Sequence, residues 1–353
     1  MKIALLRLLN QQIAHHRFSR PGEIVAWLGA IQAQDFSGAK WSIGLRLNGV
    51  TENEVERAIA AKTIIRTWPM RGTLHFVAAA DVHWMRALLT PRIIAGSTRR
   101  QNELELTASV YARSEKIFIK ALRGGKQLTR ETLSALLEKN GISATGQRCY
   151  HILWRLAQEG LLCFGAHEGK QPTFTLLDEW APATKSWSRD ESLAELATRY
   201  FTGHGPATLH DFVWWSGLKI SEARTAIDLA ASALEHEVVA DKTYWVSRKI
   251  PALAGKLESI FLLPGFDEYL LGYTDRSASL DPKYAQKICP GSNGVFTPTV
   301  VINGRIVGTW KRVIKKETVS ITPTPFKSFS RADKAAIELE AQRYCLYLGK
   351  SSQ

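Results

Sequence analysis

The sequence predicts an α+β chain. A unit of two or three short helices followed by a two-stranded hairpin recurs three times, then gives way to a smaller β-rich segment with a final helix. Three observations predict this. Apolar stripes at helical spacing alternate with short strand-like runs bounded by turn formers. Capping residues, Thr51, Thr129 and Thr208, stand before helical runs in the successive units. After about residue 255 the pattern changes, and VVINGRIVGTW places two alternating runs around Asn303-Gly304, a strong short-range hairpin signal.

In the first unit, Ser19 and Pro21 open a helix whose apolar residues Ile24, Val25, Trp27, Leu28 and Ile31 lead to two amides, Gln32 and Gln34. Thr51 and Glu54 form a capping box, with Val50 and Val55 as its hydrophobic staple. IIRTWPMRGTLHFV then reads as strand, tight turn, strand, with Arg66 and Arg71 near its tip, and LRLNG as an extra short strand.

The middle unit is the clearest. SEKIFIKALRGG is a helix closed by Gly124 and Gly125, and Thr129 caps a second that stops at Asn140-Gly141. A third helix starts near Thr145 and buries Cys149, Ile152, Leu153 and Leu156 on one stripe. LLCFG, a polar turn at HEGK and QPTFTLL supply the hairpin. Helices followed by a two-stranded wing are the plan of a winged helix. The outer face of the third helix carries Gln147, Arg148, His151 and Arg155, either a solvated basic face or a set of DNA contacts.

In the last copy, Thr208 and Asp211 make a capping pair before FVWWSG. Ile220-Ser221 opens a helix with Ala223, Ala226, Ile227, Ala230 and Leu234 inward, and EHEVVADKTYWVS gives the strands. Its outer face holds Glu222, Arg224 and Asp228, with Glu235 and Glu237 beyond; acids facing phosphates repel, so this copy reads as scaffold. The expected modules are residues 1–110, 111–183 and 184–254, with a C-terminal subdomain over 255–353 that adds the strand SITPTP and a helix from Ala332 to Leu348. Lys311, Arg312, Lys315 and Lys316 lie beside the Asn303-Gly304 hairpin and either protect a strand edge or grip phosphate.

Bulk properties narrow the function. With 353 residues, 45% hydrophobic and 22% charged, the chain is neither disordered nor membrane-embedded. MKIALLRLLNQQ is a poor signal peptide, and no run has the apolar length a bilayer needs. Four scattered cysteines without a C-x-x-C pair suggest neither a zinc knot nor a disulfide framework, hence a reducing cytoplasm, with nucleoid association if DNA is the partner. The net charge of +13 favours a polyanionic partner. No phosphate-cradling glycine loop or metal-ligand spacing occurs, so no cofactor and no metal are expected.

Q-x-Q in the first unit, RTWPMRGTLHF and FDEYLLGYTDRS together make the sequence resemble the AlkZ-type bacterial DNA glycosylases, a family of tandem winged-helix proteins. The resemblance runs from about Leu5 through the C-terminal subdomain. It implies a C-shaped protein of three winged helices holding duplex DNA in a concave channel, and excision of N7-alkylated purines, with interstrand cross-links unhooked by some members. The family's catalytic Q-x-Q falls on Gln32 and Gln34; a sister group carries Q-x-D, which Gln34 does not match.

An amide cannot titrate near neutral pH, so neither glutamine can protonate a leaving group or act as a carboxylate. Each can orient water through its carbonyl oxygen or hold sugar or phosphate through its NH₂. That suffices if the base is already a cation, as alkylation at N7 of guanine makes it. Both amides reach one substrate only if the chain is extended by about Ile31, because i and i+2 share a side of a strand but not of a helix. The following D-F-S-G is turn-forming.

Several residues keep two readings. Asp35 is a cap or an assisting base. Thr73 and His75, on one face of the wing strand with Val77, are either core or in contact with a flipped base or the DNA backbone. Asp267 and Glu268 follow Pro264-Gly265 as a structural turn or as a rival acid–base pair, while Trp68, Trp214 and Trp215 read as core. A non-catalytic winged-helix DNA-binding protein, a regulator or lesion sensor, is the alternative function, and a Schiff-base lyase using Lys40 a weaker one. With no dimerisation helix evident, a monomer is expected.

Overall fold

The computed structural model describes residues 2–249 and 259–352; the expected boundary at 254/255 lies outside the described residues. The chain packs into two compact units, residues 58–192 and residues 1–57 with 193–353. The dividing point, after Arg57, falls inside the helix Glu52–Ala60. The helices and the hairpin of the first expected module therefore belong to different units.

Residues 58–192 contain the middle winged helix as the sequence describes it. Helices Ala108–Leu122, Arg130–Lys139 and Arg148–Glu159 precede the antiparallel strands Leu162–Glu168 and Gln171–Leu176. A short strand, Leu128–Thr129, pairs with the second of these. Thr129 accepts the Thr132 N–H as expected of a cap, and Gly141 follows the second helix at φ 68°. The third helix begins at Arg148, not Thr145; the Thr145 carbonyl accepts only the turn bond from the Arg148 N–H. The hairpin Ile64–Met70 and Thr73–Ala78 turns at Arg71-Gly72, both at positive φ, and joins the wing through the pair Arg66↔Phe164. Trp68, Phe118, Leu133, Ile152, Leu153 and Phe174 form the core.

In the other unit, the last winged helix comprises Arg189–Gly203, Leu209–Ser216 and Ile220–Leu229, then the hairpin Leu234–Val239 and Lys242–Ser247. The Thr208–Asp211 capping box is present. Leu234 is buried from the strand, because the preceding helix stops at Leu229. Trp215 is fully buried, but Trp214 stays 49% exposed. Residues from both ends of the chain complete this unit. The sheet runs Ser351–Ser352, Thr318–Pro325, Arg305–Ile314, Thr299–Ile302, Ile260–Leu263, and the helix Arg331–Tyr347 is capped by Ser330. Its tight turn is Asn303-Gly304, with Ile302 opposite Arg305. Buried Trp41 and Trp310 each donate their indole N–H to this sheet, to the Leu262 and Leu263 carbonyls at 2.8 Å.

LRLNG is not a strand. It is a turn after the helix Phe36–Gly44, and its Arg46 is wholly buried. The guanidinium meets both Asp267 carboxylate oxygens at 2.9 Å, the Ser42 carbonyl at 2.7 Å and the Gln11 side-chain carbonyl at 2.9 Å. Nε donates to the Gln11 backbone carbonyl at 2.9 Å. A buried cation must satisfy its fork of donors, and that demand overrides the strand propensity of Leu45 and Leu47.

Removing Asp267 leaves Arg46 buried and unpaired. Asp267→Ala is expected to cost about 3–5 kcal/mol in denaturant unfolding, far more than an exposed Asp→Ala change.

Candidate active site

Gln32 and Gln34 lie where a helix is made to stop. Pro21–Leu28 ends at Gly29, whose φ of 76° suits glycine and whose missing side chain admits the Trp215 ring; an added Cβ would stand 3.4 Å from it. Ile31–Gln32 is then extended, as the chemistry of an i, i+2 pair requires. Gln32 Nε2 donates to Gln34 Oε1 at 3.4 Å, so the two amides sit side by side. Gln34 is exposed, whereas Gln32 keeps 9% of its surface.

Asp35 caps the next helix: its carboxylate accepts the Gly38 N–H at 3.0 Å. Lys40 is buried and ion-paired with Glu52, at 2.9 Å, and with Glu56, which makes its amine a donor to carboxylates and not a nucleophile. Asp267 and Glu268 point inward, 1% and 0% exposed, and are no surface acid–base pair. Asp267 holds Arg46 and accepts the Ser42 hydroxyl at 2.6 Å. Glu268 accepts the Gln32 backbone N–H on Oε1 at 3.1 Å; on Oε2 it accepts Trp215 Nε1–H at 3.0 Å and His204 Nε2–H at 3.2 Å.

The family DNA glycosylase AlkZ-like matches residues 25–347. The chain belongs to this AlkZ-like family. It is accordingly a DNA glycosylase with DNA as its substrate. A relative, the interstrand DNA cross-link repair glycosylase of Streptomyces sahachiroi, is 28% identical over 345 residues, 90% of this chain and 88% of the relative. The solved Streptomyces sahachiroi DNA glycosylase AlkZ shares the fold, with a TM-score of 0.81 at 24% identity over 100% of this chain and 98% of that one.

In this AlkZ-like chain the remaining expected residues fall into separate groups. His75 is 0% exposed; Arg71 Nη2 donates to its Nε2 at 3.1 Å, so Nδ1 carries the hydrogen and donates to the Thr73 carbonyl at 2.9 Å. Thr73 is half-buried, and its hydroxyl makes no hydrogen bond among the described residues. Arg71 is at the hairpin turn, but Arg66 is mid-strand, 8% exposed and 4.8 Å above the Phe164 ring.

On the helix Arg148–Glu159, the polar face named by the sequence also makes contacts within the protein. Arg100 donates to Gln147 at 2.6 Å, and Arg148 bonds the Ser143 carbonyl at 2.8 Å and also the Leu104 carbonyl. Arg155 bonds Glu159 at 2.7 Å and Gln101 at 3.2 Å, and His151 is half-buried between Tyr150 and Trp154. The segment Thr98–Leu106, which sequence reasoning left unassigned, supplies most of these partners. Lys311, Lys315 and Lys316 are exposed; Arg312 lies 5.5 Å over the Tyr344 ring.

Among the described residues, no cluster of His, Cys, Asp and Glu could hold a metal ion, and no helix is long and apolar enough to cross a membrane. Sequence reasoning named Glu268 only as a turn residue or rival acid and did not name His204; the one signal was the FDEYLLGYTDRS block.

If Asp35 is held by its capping bond, Asp35→Ala is expected to lower stability by about 1 kcal/mol, and Asp35→Asn, also a good cap, by a few tenths at most. Thermal melts of both variants check this.

Proposed function

We propose that the chain is a monofunctional glycosylase that hydrolyses the N-glycosidic bond of cationic N7-alkylpurines in duplex DNA, N7-guanine interstrand cross-links included. The observation that carries this reading is the pair of uncharged amides side by side, Gln32 ending a short strand and Gln34 exposed in the bend that follows. Gln32 and Gln34 supply hydrogen-bonding groups and no titratable proton. Glycoside cleavage ordinarily calls for an acid on the leaving group and a carboxylate near the oxocarbenium-like sugar. An N7-alkylated base is positively charged, and its departure discharges it, so no acid is required. What is left is to place a water against the anomeric carbon and to steady the sugar and phosphate, a task of orientation. The engagement of Asp35 as a cap fits a site that works without a general base of its own.

On this reading, Arg71 and the exposed Lys311, Lys315 and Lys316 are the cations of the expected set best placed to meet phosphate. The modules 1–110, 111–183, 184–254 and 255–353 remain the proposed division, although the packing follows two units. The relative from Streptomyces, named for cross-link repair, supports the inclusion of cross-links.

Purified protein is expected to release free 7-methylguanine from an alkylated duplex faster than spontaneous loss, and to leave uracil in DNA untouched. Gln32→Ala with Gln34→Ala should lower release at least ~10²-fold, the scale of losing transition-state hydrogen bonds, with DNA affinity retained. No base release above background by the wild-type chain sinks the proposal. Lys315→Ala with Lys316→Ala should flatten the logarithmic salt dependence of DNA binding by about 2, near 0.9 per lost phosphate contact.

A further inference from the structure

We propose that Glu268 is a positioning residue: its buried carboxylate fixes the backbone of Gln32, and thereby the amide pair, while never meeting DNA itself. The inference rests on the glutamine reading above and names what holds that site in place.

Three donors from three parts of the chain converge on this one carboxylate. Oε1 takes the Gln32 N–H at 3.1 Å, and Oε2 takes the Trp215 indole and the His204 imidazole at 3.0 and 3.2 Å. The residue is 0% exposed, so these bonds do not compete with water. The backbone carbonyl of Glu268 is also engaged, by Gln11 Nε2 at 3.3 Å and the Gly272 N–H at 2.9 Å. Glu268 is thus immobile from both ends.

Its neighbours are built to bring the parts this close. His204 stacks on Tyr200, with centroids 4.9 Å apart and planes 14° apart. Gly272 has no side chain where a Cβ would stand 2.7 Å from both the Glu268 carbonyl oxygen and His204 Cδ2.

Burying a carboxylate is costly, and an apolar residue of similar volume serves packing at least as well. A side chain with only acceptors is needed where three N–H groups meet, because a glutamine would turn two N–H groups of its own toward one of them. One of the three is the peptide of Gln32. A glutamine has three rotatable bonds, so its working position depends on a fixed Cα, and a 1 Å displacement can cost ~10²-fold in rate.

The test compares the wild-type chain with Glu268→Gln and Trp215→Phe, using single-turnover release of 7-methylguanine, affinity for the same duplex, and the ¹⁵N–¹H resonances of Gln32 and Gln34. Glu268→Gln is expected to slow release about 10- to 100-fold at unchanged DNA affinity, with the Gln32 backbone signal moved upfield as its bond to the carboxylate is lost. Trp215→Phe keeps an aromatic side chain, though a smaller one, and removes one donor to Oε2; it should slow release several-fold, and it stands in for Glu268→Gln if that variant does not fold. A folded Glu268→Gln or Trp215→Phe protein that releases base at the wild-type rate overturns the inference. Inactivity of the wild-type chain overturns the N7-alkylpurine reading instead; the Gln32 resonance then still decides the clamp, and an unmoved signal in Glu268→Gln refutes it.

Discussion

Two adjacent carboxylates with no access to water, Asp267 and Glu268, organise the unit that carries the glutamines. A buried negative charge is tolerated only where donors surround it, so each acid dictates the position of whatever donates to it. Asp267 draws in Arg46 and Ser42, and Arg46 in turn fastens Gln11 from the N-terminal segment. Glu268 draws in His204 and Trp215 from the last winged helix and the peptide of Gln32 from the first segment. The same block continues the pattern at Tyr273, whose hydroxyl donates to the His204 carbonyl at 2.6 Å, and at Thr274 and Asp275, whose N–H groups reach Asp211. FDEYLLGYTDRS is therefore a clasp that gathers chain segments far apart in sequence.

This arrangement puts charge behind the candidate site and neutral amides in front. The buried acids are saturated by donors, and Asp35 is engaged as a cap. What faces outward from the Q-x-Q segment is an amide of Gln34 beside that of Gln32. On the proposed reading such a surface orients reactants and leaves charge separation to the lesion, which limits the enzyme to bases that arrive as cations. The AlkZ-like family assignment and the shared fold of the Streptomyces glycosylase agree with a scaffold of this kind acting on DNA.

Local rules made most of the helices and hairpins legible. The caps at Thr51, Thr129 and Thr208, the Asn303-Gly304 turn and the stripe through Ile152 and Leu156 all depend on neighbours within a few residues, and sequence contains those neighbours. The extended geometry at Gln32 entered only as a condition set by the chemistry; Ile31, counted with the helical stripe, belongs to the strand because Gly29 ends the helix. Where the reading failed, the deciding contact lay far along the chain. LRLNG turns because Arg46 meets Asp267, 221 residues away, a contact that no local pattern reveals.

By itself the sequence determined the repeated helix-and-hairpin plan, the basic balance and a pair of amides two residues apart, because propensity, capping and alternation are short-range effects. Tertiary structure alone decided which charges are available to a substrate. Burial and pairing depend on which distant segments meet, so only the folded chain distinguishes an acid that grips a peptide, such as Glu268, from one that faces outward.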